Sequence, residues 1–350
     1  MCCRGEVSFP HQDLPSQKIM PVYGSNTGLI ALWGHTTHLM LPFPELEVFT
    51  KELFLSALRA EVQAIEPIVG VGSVNDVLWV KTNRGPFILR MNEGAEAPDQ
   101  YAKEAWSIKA ARSVSIPTPD ILFSGDKGKY VYQIQQFARG INVSKLKPPL
   151  HLLAWYNCGR YVARFADIRA TGFGDKVEDG ATGKFSDSWD RYLTYNLEEL
   201  TKAGDPLLEC NHLSLPDYQF LRSALEQVPR MQVVIGLVHG DLHGRNFLQY
   251  FHQTYLLDWG TAERHVYPHV EIARLLAPGV AGVPRLAFRA FQRGLGVSDA
   301  QLAKMLPDVK RVHLLKSLDT YRWAFDHQES VPVDRYVKAL NQAVRWAKTT

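Results

Sequence analysis

Apolar and polar positions along the chain follow two different periods, and the change from one to the other divides it. From Pro44, "PELEVFTKELFLSALRAEV" sets Leu46, Phe49, Leu53, Phe54 and Leu58 at helical spacing and predicts an amphipathic helix. Two β-rich runs follow, Asp76 to Lys81 and Phe87 to Met91, and the turn-forming "TNRGP" between them predicts a hairpin. "DQYAKEAWSIKAARSVSIPTPDIL" predicts a helix over Asp99 to Arg112, halted by Pro117 and Pro119, with strands expected around Ile121 and at "YVYQIQQF". After Gly140 the helical period dominates. "LLAWYNCGRYVARFADIRA", "WDRYLTYNLEELTKA" and "DYQFLRSALEQV" are expected helices, and helices fill most of 270–350. The expected fold class is α+β, with a small β-rich lobe over 44–139 and a larger, mainly α-helical lobe over 140–350. Residues 1–43 are rich in Pro, Gly, Ser, Thr and His without a sustained period. They read as a poorly specified extension in which Met20 is an alternative start.

Composition narrows the function classes. A chain of 350 residues with 46% hydrophobic side chains can bury the cores of two lobes. A formal charge of +3 without a Lys/Arg block argues against a nucleic-acid partner. Cys2, Cys3, Cys158 and Cys210 have no paired-ligand spacing, which fits a reducing compartment, so a cytoplasmic location is expected. The most apolar early run, Gly28 to Pro44, is broken by two histidines and two threonines, and no membrane span is expected. Cys2-Cys3 lacks the neighbouring signals that lipidation uses. The expected assembly is a monomer, with a dimer left open.

The chemistry concentrates in "LVHGDLHGRNFLQYFHQTYLLDWG", Leu237 to Gly260. Val233 to Val238 predicts a strand or buried segment, "HGDLHGRN" an exposed loop, and "NFLQYF" with "TYLLDWG" a short hairpin. Phosphoryl transfer from a nucleotide needs a carboxylate to orient and deprotonate the attacking hydroxyl, and oxygen ligands that hold Mg²⁺ against the phosphates. Asp241, Asn246 and Asp258 supply that set. His239 and His243 have the i, i+4 spacing of a zinc-protease helix. Gly240, however, stands where that motif has glutamate, and Gly244 follows, so neither helix nor zinc site is expected.

"HGDLHGRNFL" followed by "YLLDWG" resembles the aminoglycoside phosphotransferase family of small-molecule kinases, which share the protein-kinase fold. The resemblance extends from Pro44 to the end of the chain through "FILR", "AKEAW", "IPTPDIL" and "VEIARLL". Within the family the chain is most similar to hygromycin B phosphotransferases, through "RGPFILRMN", "IPTPDIL" and "TGFG…WDRYL". The resemblance implies a bilobal protein-kinase-like fold, Asp241 as catalytic base, Asn246 and Asp258 as Mg²⁺ ligands, and ATP or GTP as donor. His239 is expected to brace the loop, and His243 is a second catalytic candidate that could approach phosphate. In the small lobe, Gly70, Gly72 and Ser73 of "GVGSVNDV" are expected to lay backbone N–H groups over the phosphates. Arg90 stands where protein kinases have a lysine, and Glu104 where the pairing helix carries its glutamate. The hinge is expected at "QQFARG", with backbone groups of Gln135 and Phe137 on the purine.

The acceptor is read from the larger lobe. Between Thr171 and Glu226 eleven acids stand against five bases, a local excess of six negative charges. The resemblance implies that this part walls the acceptor pocket, and an acidic wall suits a polycationic aminosugar. Asp187 and Asp190, expected within one helical turn beside Trp189, are acceptor-binding candidates together with Glu263. The leading expectation is a kinase that phosphorylates a hydroxyl of an aminoglycoside-like antibiotic and so confers resistance. The alternatives are a kinase of a hydroxylated metabolite (a sugar, amino alcohol or nucleoside) and a nucleotide-binding pseudoenzyme.

Overall fold

The computed structural model describes residues 40–68, 76–94, 96–202, 204–279, 282–328 and 331–349. The N-terminal half pairs helix with sheet. Helix α1 (Phe43–Leu58) is followed by β1 (Val62–Pro67), β2 (Asp76–Thr82), β3 (Gly85–Asn92), helix α2 (Ala97–Ser113), β4 (Ile121–Lys127) and β5 (Tyr130–Gln136). The five strands form one antiparallel sheet in the order β1-β2-β3-β5-β4. The expected helix, hairpin, helix and two strands are all present, and β1 is an addition. Leu46, Phe49, Leu53 and Phe54 of α1 pack on Leu78, Val80, Leu89, Met91, Tyr132 and Ile134 in a single core. Period-two alternation turns Leu89 and Met91 toward α1 and therefore sends Arg90 to the opposite face, where α2 lies. Gln133 follows the same rule, donating from Nε2 to the Tyr101 carbonyl of α2 at 2.9 Å.

Beyond β6 (Ile141–Asn142) and α3 (Leu150–Arg164) come β7 (Phe173–Asp179), β8 (Lys184–Asp187), α4 (Trp189–Glu199), α5 (Pro206–Glu209) and α6 (Leu215–Leu225). Strands β9 (Val234–Val238), β10 (Phe247–Tyr250), β11 (Gln253–Leu256) and β12 (Glu263–Tyr267) precede α7 (His269–Leu276), α8 (Arg285–Leu295), α9 (Asp299–Asp326) and α10 (Val333–Ala347). Helices dominate, as expected. The expected hairpin is β10 with β11, and β6 joins it to make a three-stranded sheet. A four-stranded sheet, β8-β7-β12-β9, is the element the hydrophobic pattern does not reveal. Its β7–β8 ladder has two register shifts, so no sustained alternation marks it.

One local expectation is corrected here. Asp187 is the last residue of β8 and Asp190 lies in the first turn of α4, so they do not share a helical turn. Ser188 stands between them as the N-cap, its hydroxyl accepting from Arg191 N at 3.2 Å, and the chain changes direction there.

Helices α3 and α8 cross at two glycines. A Cβ on Gly159 would lie 2.0 Å from the Phe291 carbonyl oxygen, and one on Gly294 2.0 Å from that of Tyr156, so any larger residue forces the helices apart. A capping box between Ser298 and Gln301 opens α9, which sends Leu314, Leu315, Leu318 and Tyr321 into a core shared with α6 and α10. Among the described residues no helix is long and apolar enough to cross a membrane.

Candidate active site

Strand β9 ends in the core, and the loop that leaves it carries backbone donors that need partners. Glu271, fully buried on α7, supplies them: His239 N and Gly240 N both donate to its Oε1, the latter at 3.2 Å. Burial pushes the Glu271 carboxyl up to about 7, against the opposing pull of the two N–H bonds. His239 Nε2 donates to the Leu257 carbonyl at 2.9 Å, so Nδ1 is left to accept from Asp241 N at 3.3 Å. The imidazole also packs on Trp259, with ring centroids 4.8 Å apart. Gly240 takes φ +76°, and a Cβ there would meet the Thr261 carbonyl oxygen at 2.7 Å, which restricts this position to glycine. His239 thus braces the loop, as expected.

The loop delivers Asp241 into a closed set of partners. Oδ2 accepts from Asn246 Nδ2 at 2.9 Å and lies 3.1 Å from His243 Nε2, while Oδ1 pairs with Arg274 Nη2 of α7. Burial works against ionisation, but the His243 contact and the Arg274 charge outweigh it and hold the carboxyl well below the usual range. Asn246 closes a 3-10 turn, Gly244–Asn246, and is buried. Its Nδ2 also donates to the Asp241 carbonyl at 3.0 Å, which leaves Oδ1 as the end of the amide turned away from Asp241. Leu257 N donates to the Asn246 carbonyl at 2.8 Å, bringing the start of the next loop, and with it Asp258, beside Asn246.

Asp258 contrasts with Asp241. It sits in the left-handed region at φ +58°, its side chain is 52% exposed, and Arg90 Nη2 lies 3.5 Å from its Oδ1. Arg90 is buried against α2, where its Nη1 pairs with Glu104 Oε1 and its guanidinium lies 5.9 Å from the centre of the Tyr101 ring. Burial disfavours both charges, yet the surrounding carboxylates keep Arg90 firmly protonated, while the Glu104 carboxyl stays above its ordinary value. Arg90, Glu104 and Asp258 therefore form one group, and Asp241, His243 and Asn246 another, joined through Leu257.

The other expected positions are more scattered. Gln135 lies inside β5, opposite Ile88 on one side and Ile121 on the other, and its side chain donates to Gln133 Oε1 at 3.2 Å. Phe137 comes just after the end of the strand. Gly70, Gly72 and Ser73 lie outside the described residues. Glu263 opens β12 and pairs through Oε1 with Lys316 Nζ of α9. Asp187 pairs with Arg191 Nε at 2.8 Å, and Asp190 is exposed. Asp187 and Glu263 do share a neighbour: the buried Tyr192 hydroxyl is pushed up by burial first, and then by Asp319, Glu263 and Asp187.

Glu271, Arg274 and Lys316 were not among the expected site residues. The signal available for the first two was a pair of charges three residues apart inside the apolar "VEIARLL". Nothing local marked Lys316.

A search of curated protein sequences finds no match. Among solved structures, aminoglycoside phosphotransferase APH(4)-Ia superposes with a TM-score of 0.63 at 19% identity, covering 88% of this chain and 100% of that one. A thermostable mutant of that enzyme in ternary complex with ADP and hygromycin B gives 0.60 at 17%, covering 86% and 99%. A protein from Haemophilus somnus 129PT described as a fructosamine-3-kinase gives 0.56 at 11%, covering 86% and 97%. At these identities the likeness shows the fold, an α+β kinase-like one. The sequence itself matches the phosphotransferase enzyme family (APH) over residues 66–307, more than half of its length, and the chain belongs to that family.

Proposed function

We propose that this phosphotransferase moves the γ-phosphate of ATP or GTP to a hydroxyl of a small molecule, with Asp241 as the group that orients the hydroxyl and takes its proton. The observation that carries this reading is the held carboxylate. His243, Asn246 and Arg274 fix both oxygens of Asp241 and favour its ionised form, so it cannot swing away as the hydroxyl arrives. Arg90, braced by Glu104, offers a guanidinium suited to phosphate oxygens. Phe137, beyond the strand end, is the better of the two hinge positions for a backbone contact to the purine, because Gln135 lies within the sheet ladder.

Asn246 and Asp258 fit a magnesium ion. An amide oxygen turned away from Asp241 and a half-exposed carboxylate are hard donors with lone pairs to spare. Among the described residues no cluster of three His, Cys, Asp or Glu forms a metal cage. A Mg²⁺ bound here would be shared with the nucleotide phosphates, whose negative charge it would neutralise.

The acidic excess keeps a polycationic antibiotic as the leading acceptor, with a hydroxylated metabolite as the second reading. The antibiotic reading rests on the ligands named for the structural neighbours and on the acidic excess over 171–226. Six of those eleven acids are engaged by cations: Glu178 by Lys184, Asp187 by Arg191, Glu199 by Lys202, Asp205 by Arg322, Asp217 by Lys348 and Glu226 by Arg222. Lys184, Arg191, Lys202 and Arg222 are already among the five bases set against those acids, so only Arg322 and Lys348, from outside the segment, lower the excess, from six to four, and Lys176 is itself engaged by Asp99.

The test combines a thermal-shift titration against Mg-nucleotide with transfer of labelled γ-phosphate to a panel of aminoglycosides, sugars, amino alcohols and nucleosides. Nucleotide should raise the melting temperature, and above its Kd the rise should continue with the logarithm of its concentration. Asp258→Ala should cut transfer by about 10²–10³ through the loss of several kcal/mol of charge stabilisation, and Asn246→Ala by less, with partial rescue at high Mg²⁺. Two variants with unaltered magnesium dependence would remove both residues from the metal site.

A further inference from the structure

Helices α3 and α8, which cross at Gly159 and Gly294, leave between them a groove of about 330 Å³. Leu152 and Tyr156 of α3 line it, with Leu286, Arg289, Ala290 and Arg293 of α8. Its apolar side chains are open to solvent: Leu286 is 63% exposed and Tyr156 40%. Neither helix contains an Asp or Glu, whereas α8 carries Arg285, Arg289 and Arg293, and α3 carries Arg160 and Arg164. The groove is therefore both apolar and cationic, and none of the residues that line it belongs to the Asp241 or Arg90 groups.

The cations are unspent. Arg285, Arg289 and Arg293 follow one another at four-residue intervals, so they line one flank of α8 over about 12 Å. All three are exposed, and none takes part in an ion pair or side-chain hydrogen bond among the described residues. Asp299, the acid that lines the adjoining hollow with Arg289 and Arg293, accepts from Gln292 Nε2 at 2.9 Å and pairs with neither arginine. The walls are also fixed from behind. Asn157 Nδ2 donates to the His252 carbonyl and to Thr254 Oγ1, both at 3.0 Å, and Trp155 packs edge-on against Phe247 with ring centroids 5.1 Å apart, which ties the buried face of α3 to the β10–β11 hairpin. Phe288 and Phe291 anchor α8 in the same core. A groove with such walls exists before anything enters it.

We propose that this groove is a docking surface for an acidic amphipathic helix of a partner protein. Leucine-sized side chains of that helix enter between α3 and α8 beside Leu286 and Tyr156, and its carboxylates run along the arginine flank. Arginines spaced by one helical turn match acids spaced by one helical turn, so a helix lying along α8 meets all three at once, and each guanidinium can take a carboxylate through two parallel N–H groups. The shape decides against the other anionic partners. A bilayer meets a protein along a plane, with apolar side chains projecting outward, whereas Ala290 and Leu152 here form the floor of a hollow. A nucleic-acid backbone gains from the arginines but has no use for the apolar floor. The proposal stands apart from the phosphotransferase reading, because no residue of the groove takes part in that chemistry.

The experiment uses the full chain and three labelled synthetic helices: one with Glu at every fourth position and Leu on the adjoining flank, one with Lys in place of Glu, and one with Ser in place of Leu. Fluorescence anisotropy at about 0.15 M salt reads binding, so that only close charge pairs count. The Glu/Leu helix should bind about tenfold or more tightly than either control, the worth of three exposed ion pairs on one side and of a buried leucine on the other. Arg289→Glu with Arg293→Glu should reverse the order of the Glu and Lys helices, and Leu286→Ser should weaken the Glu/Leu helix while leaving that order intact. Circular dichroism and the melting temperature show that the variants are folded, and Arg289→Gln with Arg293→Gln replaces the reversal if it does not fold. Two further arms use phosphatidylglycerol vesicles and light scattering of the chain alone. The proposal is overturned by equal binding of the Glu and Lys helices, by an order that the arginine variants leave unchanged, by groove-dependent binding of the vesicles without binding of the helix, or by a dimer of this chain that the arginine variants dissolve.

Discussion

Two aspartates from one stretch of chain meet opposite environments. Asp241 is held at both oxygens, by Arg274 on one and by His243 and Asn246 on the other. Asp258 is half exposed, and the cation beside it, Arg90, stands 3.5 Å away. The arginines differ in the complementary sense. The Arg90–Glu104 pair is nearly sealed, with side chains 11% and 2% exposed, while the Arg274–Asp241 pair is open to solvent. The contrast separates two kinds of work. A group that must take a proton from one direction gains from being fixed, whereas a group that must ligate an ion arriving with its substrate needs unspent lone pairs. A buried arginine serves as a permanent part of a wall, and an exposed one can exchange partners.

The sharpest way to break the comparison is Asp241→Asn, which keeps the size of the side chain and removes its charge. Turnover should fall by about 10²–10⁴, the range for a positioned base, while nucleotide affinity stays close to that of the wild type. Single-turnover kinetics beside a nucleotide titration separate the two quantities. Turnover at the wild-type level would make Asp241 no more than a loop brace.

Stability sharpens the arginine half of the contrast. Arg90→Met leaves Glu104 buried without its partner and should cost about 3 kcal/mol. Arg274→Met breaks a partly exposed pair and should cost about 1 kcal/mol or less. Urea denaturation of both variants measures the difference directly. Equal costs would mean that the two pairs are equally sealed, contrary to their exposure.

What the sequence discloses follows the range of the interactions. The β2–β3 hairpin, α1, α2 and the loop around Asp241 are set by local patterns, and all are legible. The Arg90–Glu104 pair, 14 residues apart, came within reach only through the family resemblance. Arg274 meets Asp241 across 33 residues, Glu271 meets the backbone of His239 across 32, and Lys316 meets Glu263 across 53, with no local period to announce any of them. The β7–β12 ladder joins Gly174 to Arg264, equally remote in sequence. The acidic excess over 171–226 was visible as composition, but composition carries no information on which bases would fold against those acids.

The smallest expected effect concerns how the Asp241 loop is pinned, and it depends on pH. Glu271 holds two backbone N–H groups through Oε1, while its Oε2 is buried without a partner, so the ionised form lacks part of its solvation. Burial raises the folded carboxyl from 4.5 to about 7. Between those values the folded chain keeps a proton that the unfolded chain has lost. Stability therefore falls as pH rises through that window, the opposite of the usual behaviour of a paired carboxylate such as Asp241. Glu271→Gln keeps an oxygen acceptor for both N–H groups and cannot ionise. The stability of the wild type relative to this variant should decline by on the order of 2 kcal/mol between pH 4.5 and 7 and then level off. Paired denaturation curves across that range give the slope. A constant difference would mean that the two N–H bonds keep Glu271 ionised throughout, and that the loop is pinned by a charge rather than by a neutral acid.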